Sequence, residues 1–71
     1  MSETVHKYIL TTLIKMYTAD VEKAQANIEI YLKNPVGIGD HSDVLGAIDE
    51  QVSKMAEAQD KIEVLNRYYE D

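Results

Sequence analysis

The 71-residue sequence contains no cysteine, phenylalanine or tryptophan, a single proline and only three glycines. Without cysteine the chain has neither a disulfide nor a thiolate zinc site, and a core of this size rarely supplies more than ~3–5 kcal/mol. The two histidines, His6 and His41, lie far apart in sequence, so we expect no metal and no cofactor. No apolar run reaches membrane-spanning length and no segment resembles a signal peptide, so we expect a cytoplasmic protein.

Positive charge is also scarce, since 13 acidic residues outnumber seven lysines and arginines and the formal net charge is −6. Such a chain repels nucleic-acid backbones and anionic membranes, so long nucleic acids and membranes are poor candidate partners. A small anionic ligand held by backbone amides remains compatible with this composition, because such a site needs no net positive charge.

The residues typical of catalysis are missing or badly spaced. There is no cysteine nucleophile, and Asp40, His41 and Ser42 are sequence neighbours, a spacing that seldom produces a convergent triad. A metal site built from Asp40, His41 and Asp43 has too few ligands. We therefore expect a protein that is not an enzyme and that holds no metal.

Apolar periodicity predicts a first helix over about residues 3–33. Residues with alternating spacings of four and three form a seam that is typical of a helix packed lengthwise on a partner: Leu10, Ile14, Tyr17, Val21, Ala24, Ile28 and Tyr31. A second stripe of Val5, Ile9, Leu13 and Met16 makes the apolar arc too wide for one neighbour. Pro35 disfavours helical geometry at Asn34 and ends the helix.

A second helix is predicted over about residues 42–69, with Asp40 or Ser42 as its N-cap. Its seam is expected to contain Leu45, Ile48, Val52, Met55, Ile62 and Tyr69, interrupted by Gln59 and Asn66 and widened by Val44, Ala58 and Leu65. Three acid–base pairs at i,i+4 spacing, Glu50/Lys54, Glu57/Lys61 and Glu63/Arg67, indicate a solvated face. Gly46 is expected to allow close approach of the first helix or of the turn.

Two matched helices joined by a turn at 34–41 predict an all-α fold, an antiparallel two-helix hairpin in one domain. Both helices carry more apolar surface than one mutual interface buries, so we expect homo-oligomers, dimers or tetramers, that form a helical bundle. The oligomer interface is predicted at Leu10, Ile14, Val21, Ile28, Ile48, Val52, Met55 and Ile62.

The turn, NPVGIGDH, is the first candidate ligand site. Its paired glycines permit positive φ and leave backbone amides unobstructed beside the amino terminus of the second helix, an arrangement that favours an anion or nucleotide. The candidate residues are Lys33, Asn34, Gly37, Ile38, Gly39, His41 and Ser42. The alternative is that the glycines only reverse the chain, while Val36 and Ile38 close the end of the core.

The open end of the hairpin is the second candidate surface. Tyr8 and Tyr68 are expected to meet there, beside Lys7 and Arg67, and tyrosine stacks on nucleobases while a cation contacts phosphate. The other three tyrosines are interpreted as seam residues.

The segment YLKNPVGIGDHSDVLGAIDEQVSKMAEAQDKIEVL, residues 31–65, resembles small tailed-phage helical-hairpin proteins that share an NPVGIG turn followed by an acid and histidine. Ser42 departs from the proline of that pattern, which is compatible with a first helical turn. Some short helical phage proteins are anti-CBASS nucleotide sponges, which bind cyclic dinucleotide immune signals without catalysis. The resemblance implies an oligomeric nucleotide-sequestering protein in the host cytoplasm; the alternative is an interaction module that binds a host or phage protein.

Overall fold

The computed structural model describes residues 3–34 and 43–69, which form two helices and contain no strand. Helix α1 spans Glu3–Lys33 and helix α2 spans Val44–Tyr68. Contacts of Asn27 with Gln51 and of Tyr17 with Lys61 show that α2 runs antiparallel to α1. The prediction of an all-α hairpin is confirmed, and the molecule is an elongated pair of helices measuring 53 × 16 × 15 Å.

Helix α1 forms because 31 consecutive residues contain neither glycine nor proline. Glu3 in its first turn and Lys33 in its last turn complement the helix dipole. The backbone amide of Asn34 donates to the carbonyl of Ile30 at 2.9 Å, which continues the helical hydrogen bonding to the last described residue before Pro35.

The N-cap of helix α2 is Asp43, and not Asp40 or Ser42 as the sequence favoured, because the helix begins only at Val44. The Asp43 carboxylate accepts from the amide of Gly46 at 2.9 Å. A side chain at Gly46 would collide with this carboxylate, since an added Cβ would lie 2.7 Å from Asp43 Cγ. Gly46 therefore does accommodate a close neighbour, but the neighbour is the capping side chain and not α1.

The seam of α1 lies where its periodicity predicts. Ala24 is buried with 2% exposure. The other predicted members are half-buried against α2: Leu10, Ile14, Tyr17, Val21, Ile28 and Tyr31.

The seam of α2 differs from the predicted one. Gln51 and Ala58 are buried, and Val44, Ile48, Met55, Ile62 and Leu65 are half-buried around them. The predicted members Leu45, Val52 and Tyr69 are instead 83%, 48% and 56% exposed. Gln59 is exposed as well. The sequence interpretation chose the apolar Val52 over the adjacent polar Gln51, whereas α1 packs on the line that contains Gln51.

Helix α2 carries the three predicted ion pairs, and Lys61 of the second pair lies over the Tyr17 ring of α1 instead of facing away from that helix. Glu50–Lys54 and Glu57–Lys61 are each 3.5 Å apart, and Glu63–Arg67 is 2.6 Å apart. All six side chains are at least half exposed, so each pair contributes only about 0.3–0.5 kcal/mol. The prediction of a solvated acidic–basic face is confirmed.

The hydrophobic core is very small. Among the described residues, Ala24 and Ala58 are the only buried apolar side chains. Eleven large apolar side chains are exposed. Within residues 3–34 and 43–69 no third element covers them, so they form surface that a partner can bury.

Candidate functional site

A polar groove of about 320 Å³ runs along one side of the hairpin. Its floor contains Asn27, whose Nδ2 donates to Oε1 of the buried Gln51 at 3.1 Å. The hydrogen bond joins the two helices across the seam. It satisfies the carbonyl of a glutamine that is only 8% exposed.

Three lysines line this groove and distinguish it from the rest of an acidic protein. They are Lys23, Lys54 and Lys61, and two carboxylates, Asp20 and Glu57, lie beside them. Lys23 forms no ion pair within the described residues, whereas the other two pair with α2 carboxylates. With Glu50, the partner of Lys54, the three lysines and three carboxylates balance in charge, so the groove is locally neutral on an acidic protein. Its ammonium groups and its floor of side-chain amides supply donors for a small anionic group.

Lys61 is further positioned by an aromatic ring. Its Nζ lies 5.3 Å from the centroid of the Tyr17 ring, within the range of a cation–π contact. Tyr17 therefore acts as a seam residue and also holds an ammonium at the edge of the groove.

The sequence analysis missed Asn27 and Gln51. A signal for Gln51 was present, because Val44, Gln51, Ala58 and Leu65 are spaced by seven residues and form one line of a heptad. Asn27 follows Ala24 by three residues and flanks the α1 seam. No sequence pattern by itself indicates that the two amides meet.

A second groove, of about 460 Å³, lies at the open end of the hairpin. It is lined by Glu3, Thr4, His6, Lys7, Leu10, Thr11, Ile14, Leu65 and Tyr69. Of the four residues predicted for this end, only Lys7 lines it. Tyr8 and Tyr68 are exposed elsewhere on the surface, and Arg67 is paired with Glu63. His6 and Tyr69 line this groove, where Tyr8 and Tyr68 were predicted to lie.

The predicted turn site lies mostly outside the described residues. This applies to Gly37, Ile38, Gly39, His41 and Ser42, and to the alternative in which Val36 and Ile38 close the core. Of the candidate set, Lys33 and Asn34 are described, and both are exposed at the end of α1.

Most residues that the sequence predicted for the oligomer interface instead pack between α1 and α2 of the same chain. Seven of its eight residues are half-buried in the seam between α1 and α2: Leu10, Ile14, Val21, Ile28, Ile48, Met55 and Ile62. Val52 alone of this set is exposed. Surface for any second molecule must therefore come from other residues.

Two exposed apolar regions remain. The outer stripe runs along α1 and consists of Val5, Ile9, Thr12, Met16, Ala19, Lys23, Ala26 and Ile30, all of them exposed. It contains three of the four residues of the predicted second stripe, whereas Leu13 is half-buried. The turn-end patch consists of Leu32 at the end of α1 and Leu45 and Val52 at the start of α2.

Within residues 3–34 and 43–69, no group of three or more histidine or acidic side chains is arranged to hold a metal ion. Neither of the two described helices is long and apolar enough to cross a membrane. No family model, curated protein or solved structure matches the chain.

Proposed function

We propose that the protein is a non-enzymatic binding module that works as a homo-oligomer of hairpins. The observation that carries this proposal is the exposed surface of 5667 Å². A compact monomer of 8.1 kDa exposes about 4,500 Å², so this chain exposes roughly 1,200 Å² more. A standard interface takes about 800 Å² from each partner, so covering this excess on two chains requires a larger interface of about 2,400 Å², which is in the range of obligate homodimers.

Self-association also supplies what the single hairpin lacks. The described core consists of two alanines and half-buried seam residues, while side chains as large as Met16 and Ile30 face solvent. Burying such side chains contributes about 25 cal/mol per Å² of apolar surface. An oligomer therefore gains stability that a chain of this length rarely achieves alone.

We further propose that the ligand of this oligomer is an anionic nucleotide of the cyclic dinucleotide class, which the protein sequesters in the cytoplasm of a phage-infected host. The lysine-lined groove supports this role, because two lysines that are already ordered by Glu50, Glu57 and Tyr17 flank a floor of amides. The resemblance of the NPVGIGDH turn to small phage proteins supports the same class. Sequestration needs binding alone, so no catalytic group is required.

Three lysine variants locate the ligand site, since each removes one charge from a different candidate region. Lys54→Gln alters the polar groove, Lys33→Gln the turn, and Lys7→Gln the open-end groove. We expect a cyclic dinucleotide at 100 times its Kd to stabilise the wild type by about 2.7 kcal/mol, detected as a raised Tm. Lys54→Gln should weaken this effect most.

The controls separate the ligand proposal from the assembly proposal. Inorganic phosphate should raise the Tm less than the dinucleotide, and the dinucleotide should be recovered intact after heat release. A Tm that does not change at millimolar dinucleotide, in a protein that light scattering shows to be oligomeric, contradicts the ligand proposal and leaves the assembly proposal standing.

The turn-end patch supports a second candidate function, an interaction module that binds a host or phage protein. Leu45 is 83% exposed, and Leu32 and Val52 are exposed beside it. If this patch is the functional surface, Leu45→Glu should abolish binding of a protein partner, whereas Lys54→Gln should not. The same two variants should have the opposite ranking in the dinucleotide assay if sequestration is the function.

A further inference from the structure

We propose that the outer stripe of α1 packs antiparallel against the same stripe of a second copy, with Lys15 of each chain paired to Glu22 of the other. This inference rests on the proposed self-association and specifies its interface. It assigns the contact to α1 alone and leaves the turn-end patch to other partners. Lys23 belongs both to the stripe and to the lining of the polar groove, so the second copy lies beside that groove.

The outer stripe has the spacing of a second helix–helix seam. Its members recur at alternating intervals of four and three from Val5 to Ile30, over about 39 Å of helix. At about 100° per residue this line lies about 140° around the helix from the seam that faces α2. Every member is exposed in the hairpin.

The order of residues along the stripe favours an antiparallel partner. If a two-fold axis passes between Met16 and Ala19, Met16 lies opposite Ala19 of the second copy and Ile9 lies opposite Ala26. In these central pairs a large side chain meets a small one, which keeps the spacing between the helices even there, whereas Thr12 lies opposite Lys23 and Val5 lies opposite Ile30 at the two ends. In a parallel pair Lys23 would face its own equivalent, which is unfavourable.

Charge complementarity along the edge of the stripe leads to the same arrangement. Lys15 and Glu22 flank the stripe on one side. About this two-fold axis, Lys15 lies two residues, or about 3 Å along the helix, from the level of Glu22 of the second copy, an offset that both long side chains can span. The pair therefore occurs twice in each dimer. Within the described part of the hairpin, neither Lys15 nor Glu22 forms an ion pair. By contrast, the three ion pairs of α2 each join two residues of that helix. The second copy supplies the partners that α1 lacks.

Charge reversal tests this interface. We expect Lys15→Glu and Glu22→Lys each to weaken association about 5- to 30-fold, measured as the dimer Kd by analytical ultracentrifugation at low salt, because each creates two repulsive contacts. The double variant Lys15→Glu/Glu22→Lys should restore the wild-type Kd within about threefold. Residues 15 and 22 are two turns apart on one helix, so this rescue has to occur between chains.

Net charge provides an independent control. Glu22→Lys reduces the formal net charge from −6 to −4, so general repulsion between acidic chains would decrease and association would strengthen. The proposed pair predicts the reverse. Asp60→Lys makes the same change of charge on α2, away from the stripe, and should not weaken association.

Two further results would overturn the inference. If the wild type is oligomeric but both reversals leave Kd unchanged, or the double variant is not rescued, this interface is wrong and the proposed function still stands. If the wild type is a helical monomer at 100 µM, both the interface and the proposed assembly fail. Met16→Lys gives a second measurement: the side chain is exposed in the hairpin, so it should dissociate the dimer while each chain remains helical.

Discussion

Gln51 is the one buried polar side chain among the described residues, and removal of its hydrogen-bond partner tests how the two helices are aligned. In the wild type, Asn27 Nδ2 donates a hydrogen bond to Gln51 Oε1 at 3.1 Å. Asn27→Ala removes this donor and leaves the buried side-chain carbonyl of Gln51 without its protein partner. Leaving such a group unsatisfied costs about 1–3 kcal/mol. Gln51 also lines the polar groove, where water replaces part of the contact, so we expect a loss of about 1–2 kcal/mol.

A loss of this size lowers the ratio of folded to unfolded protein by about 5- to 30-fold. It is measured by urea unfolding followed by helical circular dichroism, with protein concentration held constant because assembly contributes to stability. Gln59→Ala is the matched control. Gln59 is exposed on the same helix, so its replacement should change the unfolding free energy by less than about 0.5 kcal/mol.

The double variant Asn27→Leu/Gln51→Leu completes the test. Replacing both amides by apolar side chains removes the need for a hydrogen bond, so this variant should be as stable as the wild type or more stable. If Asn27→Ala is neutral, or if Gln59→Ala is the more damaging change, then α1 does not pack on the line that contains Gln51, and the reasoning is refuted.

Other predictions concern the start of α2 and its surface. Asp43→Ala should lower the unfolding free energy by about 1 kcal/mol, because it removes the N-cap of the Gly46 amide; an unchanged midpoint in urea would contradict the capping role. Replacing glycine by alanine inside a helix normally raises the unfolding free energy by about 1 kcal/mol, but Gly46→Ala should not, because the added methyl group meets the Asp43 carboxylate. In the Asp43→Ala background, Gly46→Ala should give this increase. Raising the NaCl concentration from about 0.05 to about 0.5 M should change the unfolding free energy by less than about 1 kcal/mol, because all three α2 ion pairs are exposed. A larger loss of stability would show that the ion pairs contribute more than their geometry indicates.

The candidate sites were only partly accessible from the sequence. Lys7, Lys54 and Lys61 were identified as charged helix residues, but the sequence did not show that Lys54 and Lys61 lie beside Lys23 over a floor of amides. Such a groove brings together residues from two helices, and no local pattern encodes that distance. The predicted meeting of Tyr8 with Tyr68 depended on the rotation of both helices at the open end, which periodicity does not determine.

The sequence by itself determined that the chain forms two helices and that α1 presents Ala24 and its neighbours to α2, because this information is local: helix propensity, a single proline and an apolar repeat of 3.6 residues. Only the tertiary structure decided which line of α2 is buried. Gln51 and Val52 are adjacent, and each belongs to a row of residues with helical spacing that could face α1. The sequence interpretation chose the row that contains Val52, because Val52 is apolar and Gln51 is polar. Gln51 is buried because Asn27, 24 residues away, supplies its hydrogen bond, and an interaction between distant residues forms only when the helices pack.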